Sequence, residues 1–449
     1  MSFAPKVLKN APIDEISNWV EKDDKYTWHP FTQHGAEPQA PVIMRGQGAS
    51  LFDQNDREII DCISSWWTCT HGHCHPELAQ ALKDQADTLD HVIFSGFTHP
   101  PAIKLAETII NKLPDDLNRV FYADSGSMAT EIALKMAIQL SQNRNQTKRK
   151  TLIAFDRGYH GETFGAMAVG KKSGYFKPFE NMMFDVKFMP FPATWDNDDS
   201  AQEKQDAALK EYQDYMNDHH DEVIGVIIEP LMQGAGGIRF CDPSFIHDIT
   251  KYAQEKDITV IFDEIAVGFG RTGTMFAHEQ CGVTPDIICL SKGLTGGTLP
   301  LSLTITSEKI FQEFIDADYD RAFAHSNSYT GNPLACAIAV RAIELFDEEN
   351  TLDKIAKIES NHQKFATQLE QINTIHQVRV KGSILAFNLK QGGGYKSSIS
   401  EEMRFYFLRE GFNIRPIGDV IYLMPPYCIT EKQLQSVYEV ILKATKKFL

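Results

Sequence analysis

The sequence predicts an α/β protein built on a mainly parallel sheet. Two observations carry this. From about residue 75 onward, strand candidates alternate with helix candidates. The strand candidates are also short and continuously apolar, as strands buried on both faces are. Composition agrees with that class. The chain has 449 residues, 43% hydrophobic and 23% charged, which is ordinary globular usage and excludes disorder, collagen-like repeats and coiled coil.

Residues 1–60 read as helix, then turns, then short strands, and Asp53 to Asp61 has the turn chemistry of a hairpin. The strand candidates that follow are Arg119–Tyr122, Thr151–Phe155, Val223–Ile228, Thr259–Phe262, Ile287–Leu290 and Leu301–Ile305. Helices between them, such as Met128–Leu140, supply the crossovers. The polar stretch from Trp195 to Glu222 is expected to be a solvated helix and loop. A further helix starts at Asn332-Pro333, with Asn as cap and Pro at the first helical position. A boundary falls near Phe346, and the remainder to Leu449 reads α+β. Its last helix opens with Thr430-x-x-Gln433, a capping box.

The formal net charge of −16 argues against nucleic acid or an anionic membrane as partner, because both need a basic footprint. The first twenty residues contain no apolar core of a secretory signal, and no uncharged apolar run is long enough for a transmembrane helix. The 8 cysteines are scattered and read as reduced, mostly buried thiols, so a cytoplasmic setting is expected.

Two strings look functional and are set aside. Gly268-Phe-Gly270-Arg-Thr-Gly273 matches a dinucleotide fingerprint, but the glycines do not follow the strand directly and no helix start follows them. Cys69-Thr-His71-Gly-His73-Cys74-His75 resembles a metal cluster, but no second ligand pair completes a tetrahedral site, so no metal is expected.

Four weaker signals converge on one chemistry. Lys292 follows the buried strand Ile287–Leu290. An amine beside apolar surface loses hydration, which lowers its pKa and suits it to a Schiff base with an aldehyde. Asp263 ends another buried strand one excursion earlier, so both groups are expected at the carboxyl edge of the sheet. Such a carboxylate can pair with a pyridinium nitrogen. Ser125-Gly126-Ser127 is a small-residue turn from strand into helix, where free N–H groups hold a phosphate. Tyr159-His160 follows another strand, where an aromatic can cover a ring. Taken singly, these read as a snorkelling lysine, a capping acid, a serine cap and a turn.

The run from Val260 to Gly297, VIFDEIAVGFGRTGTMFAHEQCGVTPDIICLSKGLTGG, resembles fold-type I pyridoxal-phosphate enzymes, specifically the class III aminotransferases. The resemblance covers nearly the whole chain. It implies a small domain built from residues 1–60 and 346–449 around a large cofactor-binding domain of residues 61–345. Trp28-His-Pro-Phe31-Thr32, Ser64-Ser65-Trp66-Trp67, Arg415-Pro416 and Tyr422-Leu-Met-Pro-Pro426 resemble the biotin-pathway branch, which moves an amino group from S-adenosylmethionine to 8-amino-7-oxononanoate.

Carried over by motif, the resemblance implies that Lys292 is the cofactor lysine and proton shuttle, and that Asp263 pairs with the ring nitrogen. Ser125, Gly126 and Ser127 hold the phosphate. Tyr159 and His160 lie at the ring, with Tyr159 bordering the substrate. The segment from His325 to Asn332 is donated by the neighbouring subunit of a homodimer, with Asn327 and Ser328 at the cofactor and Ser326 at the substrate. Trp66 and Trp67 line the channel, Arg415 grips the acceptor's carboxylate, and Phe31 and Arg271 lie near the substrates. Phe31 stands where some members have tyrosine, Ser326-Asn327 replaces a Gly-Pro pair, and Glu162 replaces an aspartate. A lysine-dependent variant, an aminotransferase of ω-amino acids or diamines, and a catalytically silent homologue are the alternatives.

Overall fold

The computed structural model describes residues 13–35, 37, 40–171, 174–390 and 398–449. Residues 1–12, the larger part of the segment read for a leader, lie outside the described residues. A seven-stranded sheet forms the centre. Its order is Arg119–Ala123, Ser302–Thr306, Ile287–Leu290, Thr259–Asp263, Val223–Ile228, Thr151–Phe155 and Lys187–Met189. Four neighbouring pairs are parallel, and Ser302–Thr306 runs antiparallel to both of its neighbours. All six strand candidates form, with ends shifted by a residue or less. The edge strand Lys187–Met189 has no counterpart among them, because three residues are too short for a period to show.

The apolar runs have the expected cause. Ile261, Ile287 and Cys289 pack on one face against the helix Gly126–Asn143, while Val260, Phe262, Ile288 and Leu290 belong to the core on the other face. A strand covered on both sides has no polar position to alternate with. Asn332 caps the helix Pro333–Glu348 by accepting from Ala335 N–H, and Thr430 and Gln433 form the capping box of Glu431–Phe448. The polar stretch contains the helix Ala201–His219.

The hairpin forms between Ser50–Asp53 and Glu58–Asp61. Phe412–Asn413 adds to it in parallel, so residues from both ends of the chain share one sheet. A three-stranded sheet of Ile375–Lys381, Ile384–Leu389 and Val420–Leu423 completes the C-terminal part. The cysteines are free, and six of them are buried. No helix among the described residues is long and apolar enough to cross a membrane.

Candidate active site

The parallel strands end on the same side of the sheet, and three charged groups leave from those ends. Asp263 closes its strand level with Cys289, and Ser291-Lys292 follows the neighbouring strand directly. Glu229 follows Val223–Ile228. All three face one cavity of about 590 Å³, within the size range of small-molecule sites.

Asp263 is buried and fixed at both oxygens. Oδ1 accepts Ile265 N–H at 3.0 Å, and Oδ2 accepts His160 Nδ1–H at 2.7 Å. Burial favours neutral His160, but the hydrogen bond and charge of Asp263 outweigh it and raise the imidazole above its ordinary range. Burial lowers Lys292 to about 8, against the pull of Asp263 and Glu229. Its backbone is left-handed (φ 46°), a conformation that a non-glycine residue keeps only when its surroundings impose it. Burial, with help from Asp263, raises Glu229 to about 7. Its two oxygens accept Tyr159 N–H at 3.0 Å and Gly234 N–H at 2.9 Å.

The Gly126–Asn143 helix points its N-terminus into the cavity through Gly126 and Ser127. Ser125 caps it by accepting Met128 N–H, and no acidic residue in the first turn cancels the positive end. Ser127 Oγ accepts Glu162 N–H at 2.8 Å and Thr163 N–H at 2.9 Å, tying the helix start to the Tyr159–Glu162 loop. That approach requires Gly161, whose φ is 122° and whose Cβ would stand 2.3 Å from Ser127 Oγ. Tyr159 donates to Glu162 at 3.0 Å and stacks on Phe176.

The outer cavity is aromatic. Lys292 Nζ lies 4.4 Å from the Trp67 ring centroid, and Arg415 Cζ lies 5.3 Å from that of Trp66. Arg415 also donates to Phe31 O at 3.0 Å, and Phe31 packs on Trp66 and Tyr175. Trp67 is buried and its indole N–H donates to Tyr422 OH at 3.0 Å.

Ten of the expected site residues therefore share the cavity: Phe31, Trp66, Trp67, Gly126, Ser127, Tyr159, His160, Asp263, Lys292 and Arg415. Ser125 stands behind them as the cap. Arg271 is buried behind Trp67 and donates to Trp67 O and Pro425 O. Ser326, Asn327 and Ser328 do not line the cavity of their own chain, and Ser326 and Ser328 are exposed. The sequence reading missed Glu229, although a carboxylate directly after a buried strand is the signal that picked out Asp263. It also missed Tyr175, which sits in a loop without periodicity. In the string set aside as only metal-like, His71 and His75 are engaged by Ala342 O and Glu349.

The matching family model is "Aminotransferase class-III", over residues 31–445. An adenosylmethionine-8-amino-7-oxononanoate aminotransferase of Synechococcus elongatus is 43% identical over 93% of this chain and 97% of its own. The crystal structure of the enzyme of that name from Methanocaldococcus jannaschii superposes with a TM-score of 0.90 at 33% identity, covering 96% of this chain and 99% of that one. An amine transaminase from an uncultivated Pseudomonas species, in its pyridoxal-phosphate-bound form, superposes with a TM-score of 0.89 at 26% identity, covering 94% and 99%. The site fits that cofactor's chemistry: an uncancelled helix N-terminus for a phosphate, a fixed buried carboxylate for a ring nitrogen, and a partly neutral amine for an aldehyde. With the family model spanning nearly the whole chain and the site composed for its cofactor, this chain belongs to the class III aminotransferases, the pyridoxal-phosphate-dependent aminotransferase family.

Proposed function

We propose that this enzyme transfers the amino group of S-adenosylmethionine to 8-amino-7-oxononanoate, in two half-reactions at one site. The observation that carries the reading is the seating of two cations on two successive indoles, Lys292 on Trp67 and Arg415 on Trp66. The acceptor has a reacting ketone near one end and a carboxylate at the far end of an apolar chain. An aromatic floor with an amine at one end and a guanidinium at the other suits that shape. The name of the Synechococcus relative supports the same reading.

Bound pyridoxal phosphate would supply an electron sink. The protein's part is to hold and to move protons. Gly126 and Ser127 hold the phosphate, with Ser125 fixing the helix start. Asp263, locked by His160 and Ile265 N–H, would pair with the ring nitrogen. Tyr159, which lines the cavity, would cover the ring. Lys292 Nζ takes and returns the substrate proton, a task served by an amine that titrates near 8. The partner subunit's Asn327 and Ser328 complete the cofactor site, and the partner subunit's Ser326 borders the substrate. Arg271, whose guanidinium holds the Trp67 carbonyl, acts on the substrates by fixing that residue's backbone.

Arg415 tests the reading. Losing a charge-assisted bidentate contact costs about 1.5–3 kcal/mol, roughly ten- to hundred-fold in affinity. Arg415→Ala is therefore expected to raise the acceptor's KM by that factor and to leave the donor half-reaction nearly unchanged in single-turnover spectra. An equal loss in both halves contradicts the assignment. Turnover with lysine but not S-adenosylmethionine moves the enzyme to the lysine-dependent variant. Turnover of ω-amino acids without 8-amino-7-oxononanoate moves it out of the branch.

A further inference from the structure

Asp61 ends the Glu58–Asp61 strand and is fully buried. It does not line the cavity, yet its carboxylate gathers the segment that does. Oδ2 accepts Ser65 N–H at 2.6 Å, and Oδ1 accepts Ile63 N–H at 3.3 Å and Asn413 Nδ2–H at 3.1 Å. Those donors are neutral. Among the described residues, the one basic side chain paired with Asp61 is His73, whose Nε2–H meets Oδ2 at 2.8 Å; burial works against its charge, but the hydrogen bond to Asp61 outweighs that and raises its pKa to about 10. His73 is itself held on every side. Its backbone forms a two-way bridge with Gly48, Nδ1 lies 3.5 Å from Cys69 Sγ, and a Cβ on Gly46 would come 2.8 Å from its own Cβ.

The gathered segment needs such an anchor. Ser64, Ser65 and Trp67 have φ of 51°, 59° and 65°, three left-handed non-glycine residues within four positions. Such backbone persists only where its surroundings over-determine it. Ser64 Oγ donates to Met424 O, and Trp67 is held at its indole N–H and its carbonyl. Ser65, which leads directly into Trp66, is held through Asp61.

We propose that Asp61 and His73 are a positioning pair that fixes Trp66 in the channel floor, and through it the guanidinium that rests on that indole. A carboxylate buried among neutral donors alone would carry an uncompensated charge. Without His73 it loses its counterion, and its grip on Ser65 N–H weakens. Trp66 is 46% exposed, so it moves first, and Arg415 moves with it. The inference rests on the channel reading given above.

The test uses the cofactor-loaded enzyme. His73→Ala is expected to raise the acceptor's KM about ten-fold or more, to leave the donor half-reaction within about two-fold, and to change the tryptophan near-UV circular dichroism without substrate. His73→Gln keeps an N–H donor toward Asp61 but not the charge, so it should recover only part of the loss. Gly46→Ala, whose methyl would meet His73 first, at 2.8 Å from its Cβ, should give a smaller rise in KM of the same kind. If His73→Ala does not fold, those two variants decide. Wild-type KM in both overturns the proposal, as does an equal loss in both half-reactions. A wild-type enzyme that ignores 8-amino-7-oxononanoate counts against the substrate reading alone. An unchanged tryptophan signal in His73→Ala counts against the clamp itself.

Discussion

Lys292 combines two properties that the sequence joins in one position. It follows a strand whose residues are all buried, and it sits against Trp67, so its ammonium form is poorly solvated. Its pKa of about 8 lies below the ordinary lysine value of 10.5. Two outcomes are expected. Uptake of pyridoxal phosphate by the cofactor-free protein should accelerate as pH rises through about 8, because the neutral amine is the reactive form. Between about 8 and 10.5 the unfolded chain holds this proton while the native chain does not, so this group's contribution to stability rises with pH across that window. Stopped-flow absorbance measures the first, and Lys292→Ala should abolish both the pH-dependent uptake and turnover. A flat uptake profile from pH 7 to 9 would show that another group controls loading.

At the scale of elements, the sequence disclosed those whose neighbours impose a pattern. The strand Ile287–Leu290 has four buried residues in a row because helices cover both faces, and that is visible in the letters alone. Asp263 and Lys292 were legible for the same reason, since position after a buried strand is itself a signal. The Ser64–Trp67 turn was not. Its left-handed serines depend on Asp61 and Met424, partners set by tertiary contact, and nothing local in Ser-Ser-Trp-Trp announces them. Arg271 was expected beside the substrates by resemblance, but its place behind Trp67 follows from carbonyls far away in the chain.

The turn at Gly161 carries the prediction that belongs to this scale. It lets the Tyr159–Glu162 loop lie against the helix start, with a φ of 122° and no room for a Cβ beside Ser127. Gly161→Ala should cost about 1–3 kcal/mol from backbone conformation alone, with the clash added. The helix N-terminus and the Tyr159 ring would then separate, so pyridoxal-phosphate affinity should fall together with Tm. Equilibrium dialysis and thermal denaturation read the two. A lowered Tm with unchanged cofactor affinity would mean that the loop serves stability only.

At the scale of the whole molecule, one surface is unfinished. The segment expected from the partner, His325 to Asn332, lies outside its own chain's cavity with Ser328 exposed. It is anchored firmly all the same. Asn332 Nδ2 donates to Asp90 O at 3.1 Å, His99 Nε2 reaches Gly331 O at 2.7 Å, and His91 lies against Tyr329. Around it Tyr329, Phe97, Ile93 and Ile103 are 61%, 63%, 59% and 58% exposed. Apolar side chains so exposed beside an anchored polar segment are what the proposed homodimer would cover. A second copy related by a two-fold axis would cover it with the same surface, and each copy could then bring Ser328 toward the other's helix N-terminus. Sedimentation equilibrium should therefore find a dimer. Phe97→Asp should shift it toward monomer and weaken cofactor binding, although Phe97 does not line the cavity. Complementation separates a shared site from mere association. Lys292→Ala chains and chains carrying Ser328→Arg should each be inactive alone, and hybrid dimers should regain activity, because one of their two sites draws both residues intact from different chains. Hybrids that stay inactive, or a fully active monomer, would place the whole site within one chain.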